Sequence, residues 1–222
     1  MIASKNDIFI FLNDLSNNNS KDWMDRNRDR YQKAKERWLE EVEAILERLS
    51  AYDSYFDQFK PKDTITRTNN NRVFHPDKPI YKDYFSCSPN AKGEPVSKLH
   101  ISAGISWSFL GGGLWRPDKE ILKRVRDAID YNGDELLEIL NVSKFKKIFG
   151  GLAEDPDKLK TTPRDYPKDH KYIQLLRYNN LTARADLTVD MVQSDHFVDY
   201  VEEVYLTIRP FNDYLEKAIS VT

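Results

Sequence analysis

The sequence predicts an α+β fold: a single domain over residues 1–222, with an antiparallel sheet and helices packed on its apolar face. Three observations carry this. Two stretches alternate apolar and polar residues with period two, as half-buried strands do. Stripes of helical period surround them in the order helix–helix, strands, helices, strand, helix, without the βαβ repeat of a doubly wound fold. The 222 residues are 40% hydrophobic, enough for one core in a chain below roughly 250 residues.

The elements follow in chain order. Ile8, Phe11, Leu12 and Leu15 share one helical face, and the polar tract Ser16–Ser20 ends it. A longer helix is predicted from Lys21 to Leu49, with an inner stripe of Tyr31, Ala34, Trp38, Val42, Ile45 and Leu49. Thr64–Arg67 and Lys82–Ser88 are weaker strand candidates. From Leu99 to Phe109 every odd position is apolar, which predicts one long strand, with Gly104 marking a bulge or bend. Gly111–Gly113 reads as a turn, and Pro117 opens the next helix with Ile121, Leu122, Val125, Ala128 and Ile129 as its stripe. Short helices are expected at Asp134–Leu140, Ser143–Phe149 and Asp169–Arg177, the second stopped by Gly150–Gly151. Leu181, Ala183, Ala185 and Leu187 alternate with polar residues and predict a second strand. Phe197, Val201, Val204 and Ile208 begin a final helix that Pro210 should break or kink.

Charge is nearly balanced, 34 Lys+Arg against 36 Asp+Glu. That excludes a bulk polycation and argues against nucleic acid as the partner. No apolar run is long enough for a membrane span. The first fifteen residues carry Asp7 and Asn13 within their apolar stretch and read as a folded helix, not a signal peptide. The lone Cys87 has no disulfide partner, which fits a reducing, cytoplasmic setting.

Arg67–Phe85 is the stretch densest in chemistry, with Arg67, Asp77, Lys78, Tyr81 and Lys82 in one loop and strand. Its Asn and Pro residues predict loop, and loops present binding groups. Arg matches carboxylate or phosphate in two-pronged contacts, Lys supplies a point charge and Tyr a rigid donor. Asp77 would orient Arg67 or Lys78, although a purely local ion pair fits the same residue types. His100 and Arg184 project from polar strand faces and would complete a floor beside this wall. The histidines and the single Cys make no metal-ligand spacing, so no metal is expected. P-loop and nucleophile-elbow spacings are absent as well.

Several of these residues also form a dispersed pattern. Arg67, Phe74, Asp77, Lys78 and Tyr81, together with NNNSKDW (Asn17–Trp23), FLGGGLWRP (Phe109–Pro117), LKTTPRDYPKDH (Leu159–His170) and RPFNDYL (Arg209–Leu215), resemble the bacterial domain-of-unknown-function family 2461. Asn70, Asn71 and Val73 stand where the family pattern has Arg, Asp and Arg, and Asp165 stands where it has Gly. The resemblance implies a site less cationic than in its relatives and names no activity.

Two functional readings result. The first is a cytoplasmic protein with a polar pocket for a small phosphate- or carboxylate-bearing ligand, with or without catalysis. Its candidate residues are Arg67, Asp77, Lys78, Tyr81, Lys82, His100 and Arg184. The second is a non-catalytic protein that docks another protein or an anionic polymer through the basic helix face of Arg26, Arg30, Lys33 and Arg37. Neither reading names a cofactor or an oligomeric state.

Overall fold

Burial at helical spacing builds the first core. In a computed structural model that describes residues 5–220, α1 (Lys5–Asn17) buries Ile8, Phe11, Leu12 and Leu15. The predicted Lys21–Leu49 helix is two helices, α2 (Lys21–Arg26) and α3 (Arg28–Ser50), because Asn27 leaves helical geometry at φ −111°, ψ 20°. The inner stripe of α3 is buried at Ala34, Trp38, Val42, Ile45 and Leu49. A short 3-10 helix (Ser54–Gln58) and α4 (Pro61–Thr64) lead into the loop before β1 (Tyr84–Cys87).

The fold is α+β, with a four-stranded antiparallel sheet in the order β1-β2-β3-β4. β2 (Val96–Gly104) pairs with β1 so that Tyr84 faces Gly104 and Cys87 faces Ile101. The long alternating stretch is therefore not one strand. Leu99, Ile101 and Ala103 are buried as the pattern predicts, but β2 ends at Gly104. Ile105–Ser108 turn over and β3 (Phe109–Leu114) returns. Ile105 and Trp107, expected inside, are 41% and 50% exposed. Ser102, expected outside, is buried because its hydroxyl donates to the Trp107 carbonyl across the hairpin (2.9 Å).

The three glycines lie within β3 and not in a turn. A Cβ on Gly112 would meet the Ser97 carbonyl oxygen at 2.5 Å. Gly113 has φ +110°, and a Cβ there would strike the Leu181 carbonyl. The backbone approach is too close for any side chain, so the run is a strand requirement.

α5 (Lys119–Asn141) starts after Pro117 with Asp118 as its N-cap and is interrupted at Asn132 (φ −150°, ψ 64°). The predicted Asp134–Leu140 helix is its second half. α6 (Ser143–Phe149) stops at Gly150 in the left-handed region, as expected. α7 is only Ile173–Leu176, since the turns before it are closed by backbone bonds such as His170 N–H to the Pro167 carbonyl. β4 (Leu181–Asp186) alternates as predicted, with Leu181, Ala183 and Ala185 buried. α8 (Val189–Gln193) follows, and α9 (Phe197–Ser220) carries Pro210 in its interior without ending there.

The chain forms two compact units. The first takes the described residues up to Pro89, then His100–Leu110 and Asp186–Glu203. Its core stacks Phe85 on Trp38 (ring centroids 6.5 Å, 16°), with α1 against α3. The second takes Asn90–Leu99, Gly111–Ala185 and the residues from Val204. Its core gathers Leu114, Val125, Ile129, Leu136, Leu181 and Phe211. The chain's first four and last two residues lie outside the described residues.

Candidate functional site

The loop and strand that the sequence singles out are held to the first unit by main-chain pairing. Thr66 N–H donates to the Ser86 carbonyl (3.1 Å), Lys82 N–H to the Thr68 carbonyl (2.7 Å) and Asn70 N–H to the Ile80 carbonyl (3.0 Å). Thr64–Arg67 thus lies beside β1 with one isolated bridge, Ile65 to Cys87, in place of a full strand. Asn19 fixes the other side: its amide donates to the Tyr81 carbonyl (2.8 Å) and accepts from Tyr81 N–H (2.9 Å). The Asn run looked like a polar tract in the sequence, yet one member acts as a surrogate strand for Tyr81.

These restraints separate the candidate residues. Tyr81 is 8% exposed and belongs to the packing. Arg67, Asp77 and Lys78 are exposed. Among the described residues, Asp77 forms no ion pair with Arg67 or Lys78. Phe74, on the tip of the same loop, is 77% exposed. Arg184 is exposed on β4 and belongs to the second unit.

Lys82 and His100 do come together, on the side of the β1–β2 pair opposite Phe85 and Cys87. Burial and the Lys78 charge hold the Lys82 ammonium below its ordinary pKa. Its contacts are the Thr66 hydroxyl (3.4 Å) and the Tyr84 ring (5.7 Å to the centroid). No carboxylate pairs with it among the described residues. Burial, and then the charge of Lys82, push His100 down to about 4. His100 is therefore neutral at pH 7, and its ring stacks on Phe109 (5.3 Å, 13°). Aromatic contacts continue from there: Phe109 to Trp107 (5.4 Å) and Trp107 to Tyr84 (5.9 Å, 75°). The result is a cation at the end of an aromatic row, with the Thr66 and Ser86 hydroxyls bonded to each other beside it (2.5 Å).

The sequence pointed to Lys82 and His100 but missed the row. Alternation alone puts Trp107 on the buried face of a strand that in fact turns before reaching it. The available signal was Gly104 followed closely by Ser106 and Ser108, since glycine and serine clustered together favour a turn.

The second unit holds a different arrangement, also missed. The Tyr172 amide donates to His170 Nδ1 (3.0 Å), so His170 Nε2 carries the proton and donates to Asp130 (2.8 Å). The Tyr166 hydroxyl donates to Asp127 (3.3 Å), and burial together with Asp127 pushes its pKa up to about 12. Both pairs tie the Leu159–His170 segment to α5. A groove of about 440 Å³ runs along α5 and α9, lined by Arg124, Asp127, Glu135 and Lys217. Its charges already have partners: Lys217 on Glu135 (3.4 Å), Lys123 on Asp127 (2.7 Å) and Arg124 on the Ile219 carbonyl (2.8 Å). Among the described residues no group of three His, Cys, Asp or Glu side chains could hold a metal ion, and no helix is long and apolar enough to cross a membrane.

The chain belongs to the conserved hypothetical protein family DUF2461, whose model matches residues 7–214 of the 222. No curated protein and no solved structure matches it. Several of the residues that carried the resemblance have structural explanations. Asn19 clamps Tyr81, Gly112 and Gly113 allow the strand contacts of β3, and Tyr166 and His170 anchor their segment to α5.

Proposed function

We propose that this protein binds a small anionic ligand, phosphate- or carboxylate-bearing, on the outer face of the β1–β2 pair, with Lys82 at the centre and Lys78 beside it. One observation carries the reading. Lys82 is a half-buried ammonium with the Lys78 ammonium near it, and among the described residues no carboxylate pairs with it. Burying a charge without a counter-charge is costly, and folds normally supply a partner. An arriving anion relieves that cost, which is why such unmatched groups mark binding sites. The setting proposed is the bacterial cytoplasm; Cys87, a buried free thiol, fits a reducing compartment.

The alternative, docking through the basic face of α2 and α3, has less to support it. Arg30 is bonded to Asp14 (2.6 Å), Arg37 to Glu40 and Glu41 (2.5 Å each), and Arg26 to the Asp22 carbonyl (3.2 Å). Two of the four cations on that face, Arg30 and Arg37, are thereby matched by carboxylates.

The test is a thermal-shift and calorimetric titration with inorganic phosphate and acetate. Either anion should raise the melting temperature of the wild type. Lys82→Met should abolish that rise while leaving the ligand-free melting temperature unchanged or higher, because an unpaired cation has been removed. A destabilised Lys82→Met protein that keeps the full anion response would overturn the proposal.

A further inference from the structure

We infer that the anion bound at Lys82 is carried on a planar aromatic ring that stacks on Trp107. The ligand class is then an aromatic or heteroaromatic phosphate or carboxylate. This deepens the anion-binding reading and rests on it.

Exposing Trp107 carries a cost. A tryptophan is the largest apolar side chain, and its burial is a major source of folding energy. Trp107 nevertheless stands 50% exposed on a hairpin turn. The turn is not loose. Ser102 Oγ donates to the Trp107 carbonyl (2.9 Å), and Gly104 N–H donates to Ser108 Oγ (3.0 Å). Ile105 N–H donates to the Asp83 carbonyl (3.0 Å), and the Ser106 hydroxyl donates to the Asp83 carboxylate. Tyr84 and Phe109 hold the indole from two sides. An exposed aromatic surface fixed in this way has already lost its conformational entropy, so a stacking partner does not have to supply that cost.

Position supplies the second half. Tyr84 touches both groups: its ring lies 5.7 Å from the Lys82 ammonium and 5.9 Å from the Trp107 ring. One small molecule with a ring at one end and an anion at the other can therefore meet both. A single-stranded polynucleotide would use the same two interactions. It would also require a basic track along its backbone, and the net charge of −2 with Arg30 and Arg37 on α3 already paired does not favour one.

The experiment compares ligands in pairs that differ only by the ring: phenyl phosphate with methyl phosphate, adenosine monophosphate with ribose 5-phosphate, and benzoate with acetate. Affinities are read by calorimetry and by tryptophan fluorescence in the full chain. At least one aromatic member should bind tenfold or more tightly than its ringless counterpart, equivalent to about 1.4 kcal/mol. Trp107→Leu should erase that advantage while keeping the response to methyl phosphate, and Trp107→Phe should restore part of it. If no aromatic member gains over its counterpart, or if Trp107→Leu leaves the gain intact, the ring inference fails while the anion reading stands. Ring preference for uncharged adenosine, indifferent to Lys82→Met and without any anion response, would sink the anion reading instead. Tighter binding of a ten-nucleotide dT strand than of every small ligand would assign the face to single-stranded nucleic acid and overturn the small-molecule assignment.

Discussion

His100 shows that a residue on the polar side of a strand need not face open solvent. It lies on the polar side of its strand, as the alternation implied, yet Phe109 covers it and Lys82 lies beside it. Both influences favour the neutral ring. The folded pKa, about 4, lies below the ordinary 6.5. Between those two values the unfolded chain binds the proton and the folded chain does not. Stability therefore falls as pH drops from 6.5 towards 4, and this contribution levels off below about 4. The shift corresponds to roughly 3 kcal/mol across that window. Replacing His100 by Phe, which can keep the stack, should flatten the slope relative to wild type in urea titrations at stepped pH. An unchanged slope would mean that His100 titrates normally in the fold. Cys87 behaves in the opposite sense. Burial, offset in part by Thr64, pushes its thiol up to about 12, which fits a packed residue and not a nucleophile.

At the scale of elements, the helices were the most legible part, because stripes at spacing three and four survive any detail of packing. Ile8 to Leu15 and Ala34 to Leu49 are buried where the pattern put them. The strands were legible in composition but not in extent. Alternation ran on from Leu99 to Phe109 through a hairpin, since a turn residue can be apolar when it serves something other than the core. The Asn27 break and the short α7 depend on local bonds that periodicity does not encode. Asp155 shows the same limit. Burial opposes its ionisation, but bonds from the Asn180 amide and the Asn179, Asn180 and Asp157 N–H groups outweigh that, so its carboxyl sits below the usual range. β3 permits a direct test. Gly113 combines φ +110° with a carbonyl oxygen where a Cβ would stand. Gly113→Ala should therefore cost at least about 2 kcal/mol of stability, the sum of backbone strain and overpacking. Chemical denaturation measures it, and a loss under 0.5 kcal/mol would mean that β3 can shift away from β4.

At the scale of the whole molecule, chain order and spatial grouping diverge, and that sets what can be cut away. The first unit draws on three separated segments. Within it, β1 pairs with Ile101–Gly104, Arg48 bonds Asp199 (2.7 Å) and Glu202 (2.6 Å), and the Lys5 ammonium reaches the Ser194 carbonyl (2.9 Å). A fragment ending at Pro89 would keep α1, α3 and most of the aromatic core. It would lose every one of those partners and leave β1 without β2, held only by the bridge to Ile65 and the stack of Phe85 on Trp38. Helix formation is local, whereas cooperative unfolding requires the long-range contacts that define a unique packing. The fragment should accordingly show helical circular dichroism, bind the dye ANS and melt without a sharp transition, while the full chain melts cooperatively and binds little dye. A cooperative transition in the fragment, with Trp38 as protected from quenchers as in the full chain, would show that the α1–α3 core is sufficient by itself. The later segments would then serve the Lys82–Trp107 face and not the stability of the unit beneath it.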